Sequence, residues 1–261
     1  MKVLYLPFAD LVVDKVRWID YQRRLFDWHC ERFFDFGSVF TDAEMEYVRL
    51  CMAHSADTRL LTHSLSLFTY SHKVRPRKGD VNSSRMAYGT LCASPIVARA
   101  ALDVVRGKGL TLASEAFRDP NLTFYGLGWD VRNGIDKVYF LIRDVTRLNE
   151  HRQSLIGRAH GPIRKRGILS FSFNGGAMSE EKVYVFPRRG DLRHAAVLCS
   201  RLRTVVQRNN SNLLGRKNLD RFSPPSKEII TAYMREMGTI VDTYVLDPDN
   251  DEETLYFDYN F

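Results

Sequence analysis

Apolar and polar positions along the chain change period several times. In the first 55 residues Val12, Val16, Ile19, Leu25 and Trp28 fall near helical spacing, and Thr41-Asp42-Ala43-Glu44 has the form of a capping box opening a second helix through Cys51. From Thr62 to Tyr70 the period becomes two, with Ser64, Ser66, Phe68 and Tyr70 alternating with Leu65, Leu67 and Thr69, which predicts a strand. The basic segment Lys73 to Ser84, carrying Pro76 and Gly79, reads as a loop. A short strand near Met86–Leu91 leads into a helix from about Ser94, with Pro95 in its first turn and Gly107 past its end.

Two hairpins follow. LTFYGLGWDV and IDKVYFLIRDV flank Arg132-Asn133-Gly134, and Asn-Gly between alternating apolar runs is a strong short-range hairpin signal. After a helix and loop from Thr146 to Gly161, ILSFSFN and EKVYVFP flank the turn Gly175 to Ser179. Asp191 to Val206 reads as a helix with Asp191 as a cap, Arg208 to Pro225 as a polar loop, and Ser226 to Met237 as a helix ending at Gly238. A last pair, TIVDTYV and ETLYFDY, spans the acidic turn Asp247–Glu253. The pattern predicts one α+β domain over residues 1–261, with an N-terminal helical segment at about 8–55 and β/α repeats at about 58–261.

Splitting the strands by parity divides their faces, because successive side chains point to opposite sides. Lys137, Tyr139 and Leu141 share one face; Val138, Phe140 and Ile142 share the other. In the second hairpin Ser170, Ser172 and Asn174 oppose Leu169, Phe171 and Phe173, and Lys182, Tyr184 and Phe186 oppose Val183 and Val185. Thr254, Tyr256 and Asp258 oppose Leu255 and Phe257 in the last pair. One face is thus nearly all apolar, and the other mixes Lys, Tyr, Ser, Thr and Asp. Such a polar face is either solvated, as in many antiparallel sheets, or wrapped around an interior with helices outside.

Composition narrows the classes. With 261 residues, 44% hydrophobic, there is material for one large globular domain, and no run approaches the roughly 18 apolar residues of a membrane helix. The apolar N-terminal stretch is interrupted by Asp10 and Asp14 and reads as no signal peptide, so the expected location is cytoplasmic, without a membrane partner. Cys30, Cys51, Cys92 and Cys199 are widely spaced, and the seven histidines show no ligand spacing, so no metal site is expected. Asp247-Pro-Asp249-Asn-Asp251 begins like a calcium loop but lacks its sixth-position glycine. A net charge of +7 favours phosphorylated or polyanionic partners.

A cavity lined by Lys, Arg and Tyr has a natural chemistry. Cations neutralise a diphosphate leaving group, and tyrosine faces stabilise a carbocation. On Gly128-Trp129-Asp130-Val131 followed by Asp136-Lys137-Val138-Tyr139-Phe140, and on Lys182-Val183-Tyr184, the chain resembles the ABBA (PT-barrel) aromatic prenyltransferases, with Thr254-Leu255-Tyr256 as a degenerate further match. The resemblance covers about a quarter of the chain. It implies a barrel of repeated αββα units with helices outside, and metal-independent transfer of a prenyl group from an allylic diphosphate to an aromatic small molecule. No cofactor is implied. By that resemblance Lys137, Lys182 and an early-strand arginine, Arg75 before Arg59 or Arg85, hold the diphosphate, while Tyr139, Tyr184 and Tyr256 shield the cation. Glu180 stands where the indole-prenylating branch tends to place a cation, and no acidic residue matches that family's substrate-orienting glutamate. The alternatives are a nucleic-acid-binding module using a basic, Tyr-bearing sheet face, and a small-molecule-binding protein of the same fold with other chemistry.

Overall fold

The computed structural model describes residues 40–57, 66–90, 94–130, 133–157, 162–188, 194–199, 204–209, 219–220, 222–237, 243–247 and 251–257. The expected helix around Val12 to Trp28 lies outside them. Within them the chain is mixed helix and sheet. The helices are α1 (Asp42–Asp57), α2 (Pro95–Gly107), α3 (Thr111–Ala116), α4 (Glu150–Ile156) and α5 (Pro224–Met237). The strands are β1 (Ser66–Arg75), β2 (Asp80–Thr90), β3 (Leu122–Asp130), β4 (Ile135–Ile142), β5 (Ile163–Asn174), β6 (Ala177–Pro187), β7 (His194–Cys199), β8 (Thr204–Asn209), β9 (Thr243–Asp247) and β10 (Glu252–Phe257).

Each strand pairs antiparallel with its sequence neighbour, and β1 also pairs with β10, with Ser71 opposite Tyr256 and Lys73 opposite Thr254, so the ladder closes on itself as a barrel. The turns at Gly134 (φ 61°) and at Gly175-Gly176 (φ 56° and 84°) need a left-handed backbone, which explains why glycine stands there. The capping box forms as the sequence indicates: Glu44 Oε2 accepts from the Thr41 amide at 2.7 Å, and the Glu44 amide donates to Thr41 Oγ1 at 3.3 Å.

Three assignments change. The expected loop from Lys73 to Ser84 is a hairpin in which Pro76 to Gly79 make the turn and Asn82 is passed over at a bulge, its polar residues otherwise lying on paired strands. The expected helix from Asp191 to Val206 is replaced, within the described residues, by β7 and β8. The run Ala195-Ala196-Val197-Leu198 suits helix or strand by composition; pairing to both β6 and β8 decides it. The turn after β5 is two residues, not five, so Met178 and Ser179 belong to β6.

The apolar face lies under the helices. Phe124, Phe140, Phe171 and Phe173 run across β3, β4 and β5 with successive ring centroids 6.1, 6.1 and 6.3 Å apart, and Phe117, just after α3, packs against Phe124 and Phe140. Trp129 meets Phe40 and Tyr47 of the α1 region edge to face. Helix α2 buries Val97, Ala101, Val104 and Val105, one stripe at helical spacing, and α5 buries Ile229, Ile230 and Tyr233. Each buried Val, Ile or Phe side chain stabilises the fold by about 1.5–3 kcal/mol relative to exposure. With helices on the apolar side of a closed ladder, the Lys and Tyr face is the barrel interior.

Candidate functional site

The interior is easiest to describe by rows of residues paired across the strands. One row runs Thr69–Ala87–Gly128–Lys137–Ser172–Glu180, and the next Gly126–Tyr139–Ser170–Lys182–Cys199. The two Lys-x-Tyr motifs are therefore staggered by two residues. Tyr139 is in line with Lys182, and Lys137 with Glu180. Tyr184 falls one row on, opposite Ile168 and Val197. At ordinary sheet spacings the Lys137 and Lys182 backbones lie roughly 12 Å apart, on a diagonal over Ser170 and Ser172.

Those two serines are the centre of the site. Ser170 and Ser172 are buried, Lys137 is only 7% exposed, and Lys182 is 21% exposed at its side chain, while Tyr139 and Tyr184 are half-buried. Ser172 Oγ has no hydrogen-bond partner among the described residues, although it stands between a lysine and a glutamate in its row. A buried hydroxyl left so costs about 1–3 kcal/mol. Lys182 donates to Glu180 Oε2 at 2.8 Å, so its charge is matched within its own strand. Position 180 thus balances the second lysine where a cation would reinforce it.

The remaining expected residues are placed less centrally. Arg75 falls six residues beyond Thr69, the β1 member of the Lys137 row, at the turn into β2, where its guanidinium holds Asp80, with Nε–Oδ1 at 3.0 Å. It is not brought beside Lys137. Tyr256 is placed by its backbone, opposite Ser71 and Thr243, and its side chain lies outside the described ones, as do those of Arg85 and the whole of Arg59. Two further polar features of the interior face have no counterpart among the expected site residues: Asp130, which is buried and accepts from Asn133 Nδ2 at 3.1 Å, and the Lys73–Glu252 pair at 2.7 Å. Parity along β3 was the available signal for Asp130, since it shares the face of Gly128.

Outside the barrel the polar groups beneath the helices are matched differently. Glu44 is fully buried, accepts from Trp129 Nε1 at 2.6 Å and pairs with Lys108 at 2.6 Å; Lys108 also pairs with Asp136 at 2.6 Å. Burial pushes the Glu44 carboxyl up, but the Lys108 and Thr41 bonds outweigh it and hold the carboxyl below its ordinary value. At Asp136 burial wins over Lys108, and the carboxyl is raised. Arg152 joins Glu181 at 2.6 Å and lies over the Phe171 ring, and Ser223 and Ser226 both donate to Glu253. Burial forces His72 down to about 3, so it is neutral at pH 7. No group of three or more His, Cys, Asp or Glu side chains among the described residues is placed to hold a metal ion, and no described helix is long and apolar enough to cross a membrane.

No family model, no curated protein and no solved structure matches this chain.

Proposed function

We propose that the chain is an aromatic prenyltransferase-like enzyme that binds an allylic diphosphate inside the barrel and transfers its prenyl group to an aromatic acceptor without a metal. The observation that carries this reading is the buried Ser172 hydroxyl beside Lys137 on an interior face that also presents Tyr139, Lys182 and Tyr184. A phosphate oxygen accepts from both a serine hydroxyl and an ammonium, and so would satisfy Ser172 while bonding the neighbouring lysine. Carbon–oxygen cleavage leaves an allylic cation and diphosphate; the lysines stabilise the leaving group, and the tyrosine rings face the cation. Attack by the aromatic carbon, with loss of its proton, completes the transfer. The repeated αββα organisation belongs to the same proposal. Arg75 is left out of the site because Asp80 already engages it at the β1–β2 turn.

Nucleic-acid binding through the Lys–Tyr face needs that face in the open. Lys137, Ser170 and Ser172 are buried, so a polymer finds little of that face to contact.

Calorimetric titration with inorganic pyrophosphate and with dimethylallyl diphosphate tests the proposal. Lys137→Gln is expected to weaken both by about 10–100-fold, the worth of one charge-assisted hydrogen bond. Glu180→Gln is expected to strengthen them, because Lys182 then loses its competing carboxylate. Absence of diphosphate binding to the unaltered protein, or equal affinity in the Lys137 variant, overturns the reading.

A further inference from the structure

The end of the barrel at which helices connect the strands carries a cluster of exposed cations. Among the described residues at the end that carries the hairpin turns, Lys73 pairs with Glu252, Arg75 with Asp80, Arg77 with Asp251 and Lys108 with both Asp136 and Glu44. At the opposite end, where helices connect the strands, six exposed cations gather. Arg143 follows β4, Arg147 ends the short 3-10 turn after it, Arg164, Lys165 and Arg166 open β5, and Arg188 follows β6.

The way β5 presents its three cations is unusual. Ile163 pairs with Pro187 and Gly167 with Val185, so four steps along β5 match two along β6. The two extra residues lift Arg164 to Arg166 out of the regular ladder, and bulges at barrel rims commonly re-aim side chains in this way. Gly167 anchors the bulge, because a Cβ there would lie 2.7 Å from the Tyr184 carbonyl oxygen. The flanking strand ends are adjacent: Ile142 pairs with Gly167, and the Arg188 amide donates to the Pro162 carbonyl at 2.8 Å. Asp144, beside these cations, accepts from the Thr146 amide and hydroxyl at 3.0 and 2.7 Å and lies 3.8 Å from Lys165.

We infer that this rim is a docking surface for the phosphodiester backbone of a nucleic acid. Five of the six cations are arginines, whose planar fork matches phosphate oxygens in pairs. The cations are exposed and spread over three neighbouring strand ends, which suits an extended polyanion better than a small ligand enclosed in a pocket. The largest exposed apolar side chains among the described residues, Met45, Ile96, Leu112 and Met178, are on α1, α2, α3 and β6 near its turn, and none is on the β4–β5 connection or the start of β5 that carry most of the cations. This surface is separate from the interior site and stands or falls without it.

The test is fluorescence anisotropy with labelled single-stranded and duplex oligonucleotides across a salt series, comparing the unaltered protein, Arg164→Ala/Lys165→Ala/Arg166→Ala, and Arg77→Ala. The triple variant is expected to lose at least about tenfold in affinity and to flatten the log K against log salt slope by about 2, near 0.7 to 0.9 per phosphate contact. Arg77→Ala is expected to bind as the unaltered protein does. Preference for the single strand or the duplex identifies which backbone the rim takes. Absence of binding to either oligonucleotide at low salt overturns the inference. So does equal loss in both variants, or selective binding of the triple-sensitive surface to anionic vesicles alone. Unchanged thermal unfolding of the triple variant checks that the fold is intact.

Discussion

The buried carboxylates beneath the helices and the buried Ser172 hydroxyl inside the barrel are matched in opposite ways. Beneath the helices Glu44, Glu181 and Glu253 are buried, yet each is met by donors held in place: Lys108 and Trp129, Arg152, and a pair of serines. On the inner face Ser172 Oγ has no partner among the described residues. A protein interior tolerates a buried polar group readily only when its hydrogen bonds are complete. The outer face is built to hold the fold, whereas the inner face carries a cost that a bound oxygen would remove. Ligand sites commonly have that character.

The largest effect expected on this contrast is from Phe140→Ala. It removes a fully buried ring that touches Phe117, Phe124 and Phe171, and should cost about 3–5 kcal/mol in urea unfolding. If the outer face is purely structural, diphosphate affinity of the folded fraction stays unchanged. Lys108→Met comes next: it leaves Glu44 and Asp136 facing each other with no cation between them. Because Lys108 is about a quarter exposed, the expected loss is about 2–3 kcal/mol, at the low end for a buried pair. Raising ionic strength should not restore it.

His72 provides a pH test of the same face. Its folded value of about 3 lies below its ordinary 6.5, so between those values the unfolded chain binds the proton and the folded one does not. Stability is therefore present above pH 6.5 and lost as pH falls toward 3, by about 2–3 kcal/mol between pH 7 and 4.5. His72→Gln should flatten this part of the profile in unfolding measured at both pH values. A profile unchanged by the substitution would place the titration elsewhere.

The smallest stability effect, and the most informative, is from Ser172→Ala. Removing the hydroxyl should raise the stability of the unliganded protein by about 1 kcal/mol, the low end of the cost of an unmatched buried hydroxyl, because it breaks no hydrogen bond with a described residue. Pyrophosphate affinity should nevertheless fall several-fold in calorimetry. A large loss of stability with unchanged affinity would reverse the comparison and make Ser172 a structural residue.

What the sequence by itself determined is local. The capping box at Thr41 to Glu44, the Asn-Gly turn before β4, and the split of β4, β5 and β6 into an apolar and a Lys–Tyr face were all legible, because each rests on backbone preference or on the two-residue period of a strand. The weakly patterned β7 and the polar hairpin at Lys73 to Ser84 were not. There the local signal is ambiguous or misleading, and cross-strand pairing supplies the deciding hydrogen bonds. The candidate site divides in the same way. Parity along single strands placed Lys137 with Tyr139 and Lys182 with Tyr184. Only the tertiary structure decided that their face is enclosed, that the motifs are staggered so that Tyr139 aligns with Lys182, and that Arg75 stands apart with Asp80. Register and closure depend on residues far apart in the chain, and no local pattern encodes them.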